Sequence, residues 1–195
     1  MVVEQCTKEC TFPTGPKSER TPERHPMNFL FGYLYHLYSV TSHKCFVALY
    51  IFRHCWKHRH TLLVSDQCDL LWRAFTHDLS KYRWSEARHF ASVSLDLWRT
   101  TYGTPEYRAL LKRIKPAIDL HYRRNRHHPE HLAGGIHNML PFDRVEMVAD
   151  WCAAVRRHKD GDIFESLEIN QCRFDYSDIF KANLTRLAKT MLRTP

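Results

Sequence analysis

Between residues 27 and 192, apolar side chains recur three and four positions apart, and strict alternation is scarce. Spacing of that kind gathers the apolar residues on one side of an α-helix, whereas a half-buried strand needs a period of two. The chain is therefore expected to be all-α, a bundle of about seven or eight helices. Residues 27–40 form a first apolar segment, and Ser42 is placed to cap a second helix running to His58, giving a buried helical hairpin. Ser65 or Asp66 caps the next, and Ser85-Glu86 opens another. Pro105 sits in a first turn, and Pro116 restarts the chain into residues 118–128. Pro129 disfavours helix at His128. Gly134-Gly135 marks a loop, Asp143-Arg-Val-Glu146 reads as a capping box for a helix to about His158, and Asp160-Gly161-Asp162 is a turn. Helices over residues 164–174 and 177–192 complete the reading.

Length and composition narrow the class. A chain of 195 residues with 44% hydrophobic and 13% aromatic residues can bury a core, and is neither disordered nor collagen-like. Four of the nine prolines fall in residues 1–26, which lack an apolar run and are expected to be a flexible tail before a single helical domain, 27–195. No secretory leader is visible there. In residues 27–52, His43 and Lys44 interrupt the apolar stretch, so about 18 uninterrupted apolar residues are lacking and no membrane role is expected. Seven cysteines, without a Cys-x-x-Cys pair, suit reduced thiols, usually buried, in a cytoplasm-like compartment. The oligomeric state is open.

The chain carries 14 histidines and a formal net charge of +8. His25, His36, His54, His58, His60, His89 and His158 read as surface-like or unassigned, and His131 and His137 as ambiguous. A sharper set remains. His77-Asp78 follows an apolar helix in Thr-His-Asp-Leu-Ser-Lys81. His121, His127 and His128 fall in His121-Tyr-Arg-Arg-Asn-Arg-His-His-Pro-Glu-His131. If the helix stays regular, His121, Asn125 and His128 share a face, and His127 points away. Asp150 shares a stripe with Glu146, Met147 and Ala154, and a partly buried carboxylate is costly unless paired or bound to metal. Imidazole with carboxylate suits Mn, Fe, Co, Ni or Zn, as one ion or two, while the lack of placed thiolates argues against a structural zinc site. A bound ion lowers the pKa of water and supplies a nucleophile near neutral pH.

The order His43 … His77-Asp78 … Asp150 resembles the HD-domain metal-dependent phosphohydrolases. The longer phrases His-Asp-Leu-Ser-Lys (77–81), Asn-Arg-His-His-Pro-Glu (125–130) and Glu-Met-Val-Ala-Asp-Trp (146–151) resemble an uncharacterised family widespread in bacteria and phages, over roughly residues 43–185. The resemblance implies an HD-like bundle in which His43, His77, Asp78 and Asp150 are the core metal ligands. His121, His127 and His128 resemble the additional histidines of binuclear HD proteins. Lys81 falls where a lysine approaches substrate phosphate. The Gly-Tyr-Pro motif of the cyclic-dinucleotide enzymes is absent, so that substrate is not implied.

Three functions are then open. The first is hydrolysis of a phosphomonoester or phosphodiester, with a phosphorylated small molecule or nucleotide as substrate. Asp78 would hold metal and orient water, Lys81, Arg124, Asn125 and Arg126 would bind phosphate, and Glu130 is a candidate acid/base. The second is a non-catalytic helical domain that binds another protein. The third is nucleic-acid binding through the basic run Arg108, Lys112, Arg113, Lys115, Arg123, Arg124 and Arg126, where interleaved aromatics are few, Tyr107 and Tyr122.

Overall fold

The computed structural model describes residues 26–101, 104–157 and 161–192. Residues 1–25 of the expected tail, His25 among them, and His158 and Asp160 therefore lie outside the described residues, while Pro26 already belongs to the first helix. Within them the chain is all-α, with eight α-helices and no strand. In order these are α1 (Pro26–Lys57), α2 (Val64–Thr76), α3 (Trp84–Arg99), α4 (Pro105–Arg113), α5 (Lys115–Arg124), α6 (Pro141–Val155), α7 (Ile163–Phe174) and α8 (Asp178–Leu192). Short 3₁₀ turns occupy Leu79–Tyr82, Pro129–His131 and Gly135–Asn138. None of the described helices is long and apolar enough to cross a membrane.

The expected hairpin is instead one helix of 32 residues, α1. Its buried residues run through His36, Val40, His43, Val47, Tyr50 and His54 without losing phase at Ser42. Continuous burial of one face outweighs the local preference of Thr41 and Ser42 for a break. This face packs on α2, α3, α6 and α8. Helix α3 comes so close that a β-carbon at Gly32 would lie 2.5 Å from the Ala91 carbonyl oxygen. Helix α6 runs through the middle, with Met147, Val148, Ala149, Cys152 and Ala153 at most 1% exposed.

Several boundaries differ from the sequence reading. Helix α2 starts one residue before Ser65, at Val64, and α3 starts at Trp84; neither has a capping side chain. Pro105 does occupy the first turn of α4, with Thr104 Oγ1 accepting the Tyr107 N–H at 3.2 Å. Helix α6 begins at Pro141, so Asp143 is its third residue rather than its cap and accepts the Leu140 N–H. That frees Glu146 from capping. Helix α5 ends at Arg124, not at residue 128, because Asn125 is extended and its Nδ2 donates to the His121 carbonyl at 2.7 Å.

Two histidines assigned to the surface are buried. His36 stacks on Phe90 and donates from Nε2 to the Lys81 carbonyl at 3.0 Å. His54 faces Thr190 of α8. Conversely, Cys45, Cys68 and Cys172 are exposed, and only Cys55 and Cys152 among the described cysteines behave as buried apolar groups.

Candidate metal centre

Seven side chains from three helices and two connections meet inside the bundle. His43 comes from α1, Asp150 from α6 and His121 from α5. His77 and Asp78 follow α2, and His127 and His128 follow α5. Asp78 has a left-handed backbone (φ 55°, ψ 18°), a conformation that Asp tolerates better than most residues and that costs about 1–2 kcal/mol elsewhere. The bend turns the chain sharply, and both His77 and Asp78 enter the core with at most 1% exposure.

The donors fall into two groups of four. In one, an atom each of His43, His77, Asp78 and Asp150 lie within 4.8 Å of one another; in the other, the same holds for Asp78, His121, His127 and His128. Asp78 belongs to both. His77 Nε2 is 3.6 Å from both Asp78 Oδ2 and Asp150 Oδ1, and His43 Nε2 is 2.8 Å from Asp150 Oδ1. Across the second group, Asp78 Oδ1 lies 3.2 Å from His121 Nε2 and 3.4 Å from His127 Nε2, while the Nε2 atoms of His121 and His128 are 2.9 Å apart. Atoms that share an ion at about 2.0–2.2 Å stand roughly 3.0–3.6 Å apart, so these separations suit coordination.

Partners on the far side of the rings set their orientation. Glu146 Oε1 takes the Nδ1–H of both His77 and His127 at 3.0 Å, and Arg73 lies against its other oxygen. His121 Nδ1 donates to Glu86 Oε2 at 3.1 Å, and Ser80 Oγ and Arg124 also donate to that carboxylate. The rings of His77, His121 and His127 therefore present Nε2 inward, the arrangement typical of metal-ligating histidines. The far-side Nδ1 of His43 is buried without a partner among the described residues. His77 Nε2, Asp78 Oδ1 and His127 Nε2 are buried without a hydrogen-bond partner. Buried polar atoms are rarely left so, and these three belong to the donor groups, His77 to one, His127 to the other and Asp78 to both. The residues present fit one or two divalent ions held by nitrogen and oxygen. A third cluster, His77, His127 and Glu146, is explained by the hydrogen bonds to Glu146.

Electrostatics keep the ligands poised. Burial would raise the carboxyl of Asp78, but Lys81, His77 and His121 hold it well below its ordinary value. Asp150 is likewise held low against burial by His43 and His77. Burial and the charge of Arg157 push His43 down to about 4. Burial opposes the proton on His127, yet Asp78 and Glu146 raise that ring to about 10. Burial and the neighbouring His127 drive His128 well below the usual range. Glu146 falls to about 2, because hydrogen bonds from His127 and His77 outweigh its burial.

The remaining expected site residues are placed as follows. Lys81 Nζ is 2.5 Å from Asp78 Oδ2 and lines a cavity of about 350 Å³. His43, aromatic residues including Tyr35, Phe90 and Trp98, and the cations Arg156 and Arg157 also line it. Arg124, Asn125 and Arg126 are turned elsewhere: Arg124 onto Glu86, Asn125 onto Ser80 and His121, and Arg126 onto Asp143. Glu130 is exposed and paired with Arg173. His127, expected to point away, turns inward because α5 stops before it. Sequence reasoning did not single out Glu86 or Glu146 as anchors. Their signal was present, since each is a carboxylate on a helix that also carries apolar core positions.

With this geometry in view, comparison with known families places the chain. It belongs to a family of unknown function (DUF5662), which matches residues 32–193. Neither the curated proteins nor the solved structures contain a match.

Proposed function

We propose that the chain is a metal-dependent phosphohydrolase related to the HD-domain enzymes, cleaving a phosphomonoester or phosphodiester with a nucleotide as the favoured substrate. The observation that carries this reading is the pair of four-donor groups sharing Asp78 beside a cavity with basic and aromatic walls. Ions of the Mn, Fe, Co, Ni or Zn type would lower the pKa of water and offset charge on the phosphoryl oxygens. His43, His77 and Asp150 would hold one ion, and His121, His127 and His128 the other, with Asp78 between them. Lys81 would exchange its contact with Asp78 for a phosphate oxygen. Arg156 and Arg157 would draw the anion inward, and Tyr35 and Trp98 offer flat surfaces for a base or other planar group. Lys81, Arg156 and Arg157 line the cavity and Arg124, Asn125 and Arg126 do not, so phosphate recognition would fall to the former set rather than to all four residues expected from sequence. The exposed and the unbridged cysteines suit a reducing, cytoplasmic setting.

The test is metal content together with hydrolysis. Purified protein should retain up to two transition-metal equivalents by elemental analysis. With Mn or Ni it should hydrolyse members of a panel of nucleotides and nitrophenyl phosphate esters, and His77→Ala and Asp78→Ala should be inactive. Equal inertness of wild type and both variants across the panel would remove the enzyme reading and favour a metal-stabilised binding domain.

A further inference from the structure

We infer that the outer face of α1 is a self-complementary seam through which two copies of this chain pair antiparallel. Opposite its buried stripe, α1 carries a second apolar stripe. Phe31, Leu34 and Tyr38 form its first half and Leu49, Phe52 and Trp56 its second, with exposures from 39% to 70%. Exposed Thr41 and Cys45 lie between them. These residues recur at steps of three and four over 32 residues of continuous helix, the spacing of a helix–helix seam. None of the seam positions is charged.

The order of residues selects the partner and its direction. In an antiparallel pair, Phe31 meets Trp56 of the second copy, Leu34 meets Phe52, Tyr38 meets Leu49, and Thr41 meets Cys45. Large residues at each end then oppose large residues, and the two small ones cross at the middle, where the backbones approach most closely. A two-fold axis makes every such contact twice, as an isologous interface requires. A parallel pair would also place small on small at the middle, but it would match each large residue with itself, setting bulky Trp56–Trp56 and Tyr38–Tyr38 pairs beside slimmer Leu–Leu pairs. The antiparallel order pairs Leu34 and Leu49 with aromatic rings and keeps the seam more even in width. The six large side chains expose roughly 650 Å² per copy, toward the lower end of the about 600–1,000 Å² that each partner contributes to a stable interface. The Phe52–Trp56 rings already stack at 6.3 Å, so little side-chain ordering remains to be done on pairing. The Tyr82 hydroxyl bonds Thr41 at 2.8 Å at the middle of the seam, so pairing there would have to accommodate that side chain.

The full chain should sediment, at micromolar concentration, at twice the 23.3 kDa chain mass. Leu34→Lys and Phe52→Glu should each give a single-chain species with unchanged helical circular dichroism. The double variant should restore the pair, because the introduced ammonium group of one copy then faces the introduced carboxylate of the other. With Cys68 and Cys172 replaced by serine, Thr41→Cys should form a covalent dimer through Cys45 of the second copy on mild oxidation. A single-chain mass for wild type at all concentrations would overturn the proposal, including the case where residues 1–25 shield the seam from thiol labelling at Cys45. Efficient Cys45–Cys45 cross-linking in wild type would overturn the antiparallel arrangement. These outcomes do not depend on metal or hydrolysis, so they stand apart from the enzyme reading.

Discussion

Nδ1 of His127 lies 3.0 Å from Oε1 of Glu146, and this contact turns the opposite nitrogen of the ring toward Asp78. The same oxygen orients His77. Glu146 thus holds one histidine from each donor group while standing outside both. Glu146→Gln keeps the size and one acceptor oxygen but removes the charge. Metal affinity is expected to fall about 10- to 100-fold, the usual cost of losing such a partner. Competition with a chromophoric chelator measures it. An unchanged dissociation constant would show that the rings are held by other contacts.

Metal uptake should release protons. In the ion-free protein His127 stays protonated up to about pH 10, and ligation through Nε2 displaces that proton. Affinity is therefore expected to rise with pH through the neutral range. Calorimetric titrations at pH 7 in two buffers of different ionisation enthalpy should differ by at least one proton's worth of heat. Identical heats in both buffers would mean that His127 does not ligate.

His54 supplies a pH effect away from the centre. Burial, then the charge of His58, lowers it to about 4 from the ordinary 6.5. Between those values the unfolded chain binds a proton that the folded chain does not, so stability falls as the pH drops from 6.5 to 4. The loss attributable to His54 is on the order of 3 kcal/mol. Urea unfolding of wild type and His54→Gln across this range should give a shallower slope for the variant. Parallel slopes would place the titration elsewhere.

The α1–α3 contact is tight enough to test with one methyl group. Gly32→Ala sets a β-carbon against the Ala91 carbonyl, an atom that cannot rotate aside. The expected cost is about 1–3 kcal/mol, read as a lower urea midpoint at unchanged slope. A midpoint equal to wild type would show that the helices separate without penalty.

How far the sequence discloses this molecule differs between its parts. The helical class was legible because apolar spacing is a local record of burial, and α7 and α8 fall within a residue or two of their expected starts. The continuity of α1 was not, because Thr41 and Ser42 look like a break until the neighbouring helices are in place. Asp150 stood out as a carboxylate inside an apolar helix, and His77 and Asp78 as an adjacent pair just after one. His127 was misdirected by extending α5 through Asn125, whose side chain closes the helix instead. The division of labour among the cations was also hidden: Arg124 and Arg126 look like phosphate ligands in a basic run, whereas Glu86 and Asp143, 38 and 17 residues distant in the chain, claim them.

The left-handed backbone at Asp78 has a consequence for how the centre fills. That conformation sits at the turn between α2 and the Leu79–Tyr82 segment, and with it the donors already lie within reach of one another, so an arriving ion would meet a formed site. Loading of an ion would then be a matter of access and exchange rather than of closure, and would require Lys81 to give up its contact with Asp78 Oδ2 before any phosphate arrives. A chain built this way would discriminate among ions by how readily each displaces a tethered ammonium group, and the speed of loading would respond to residue 81 more than to the ligands themselves.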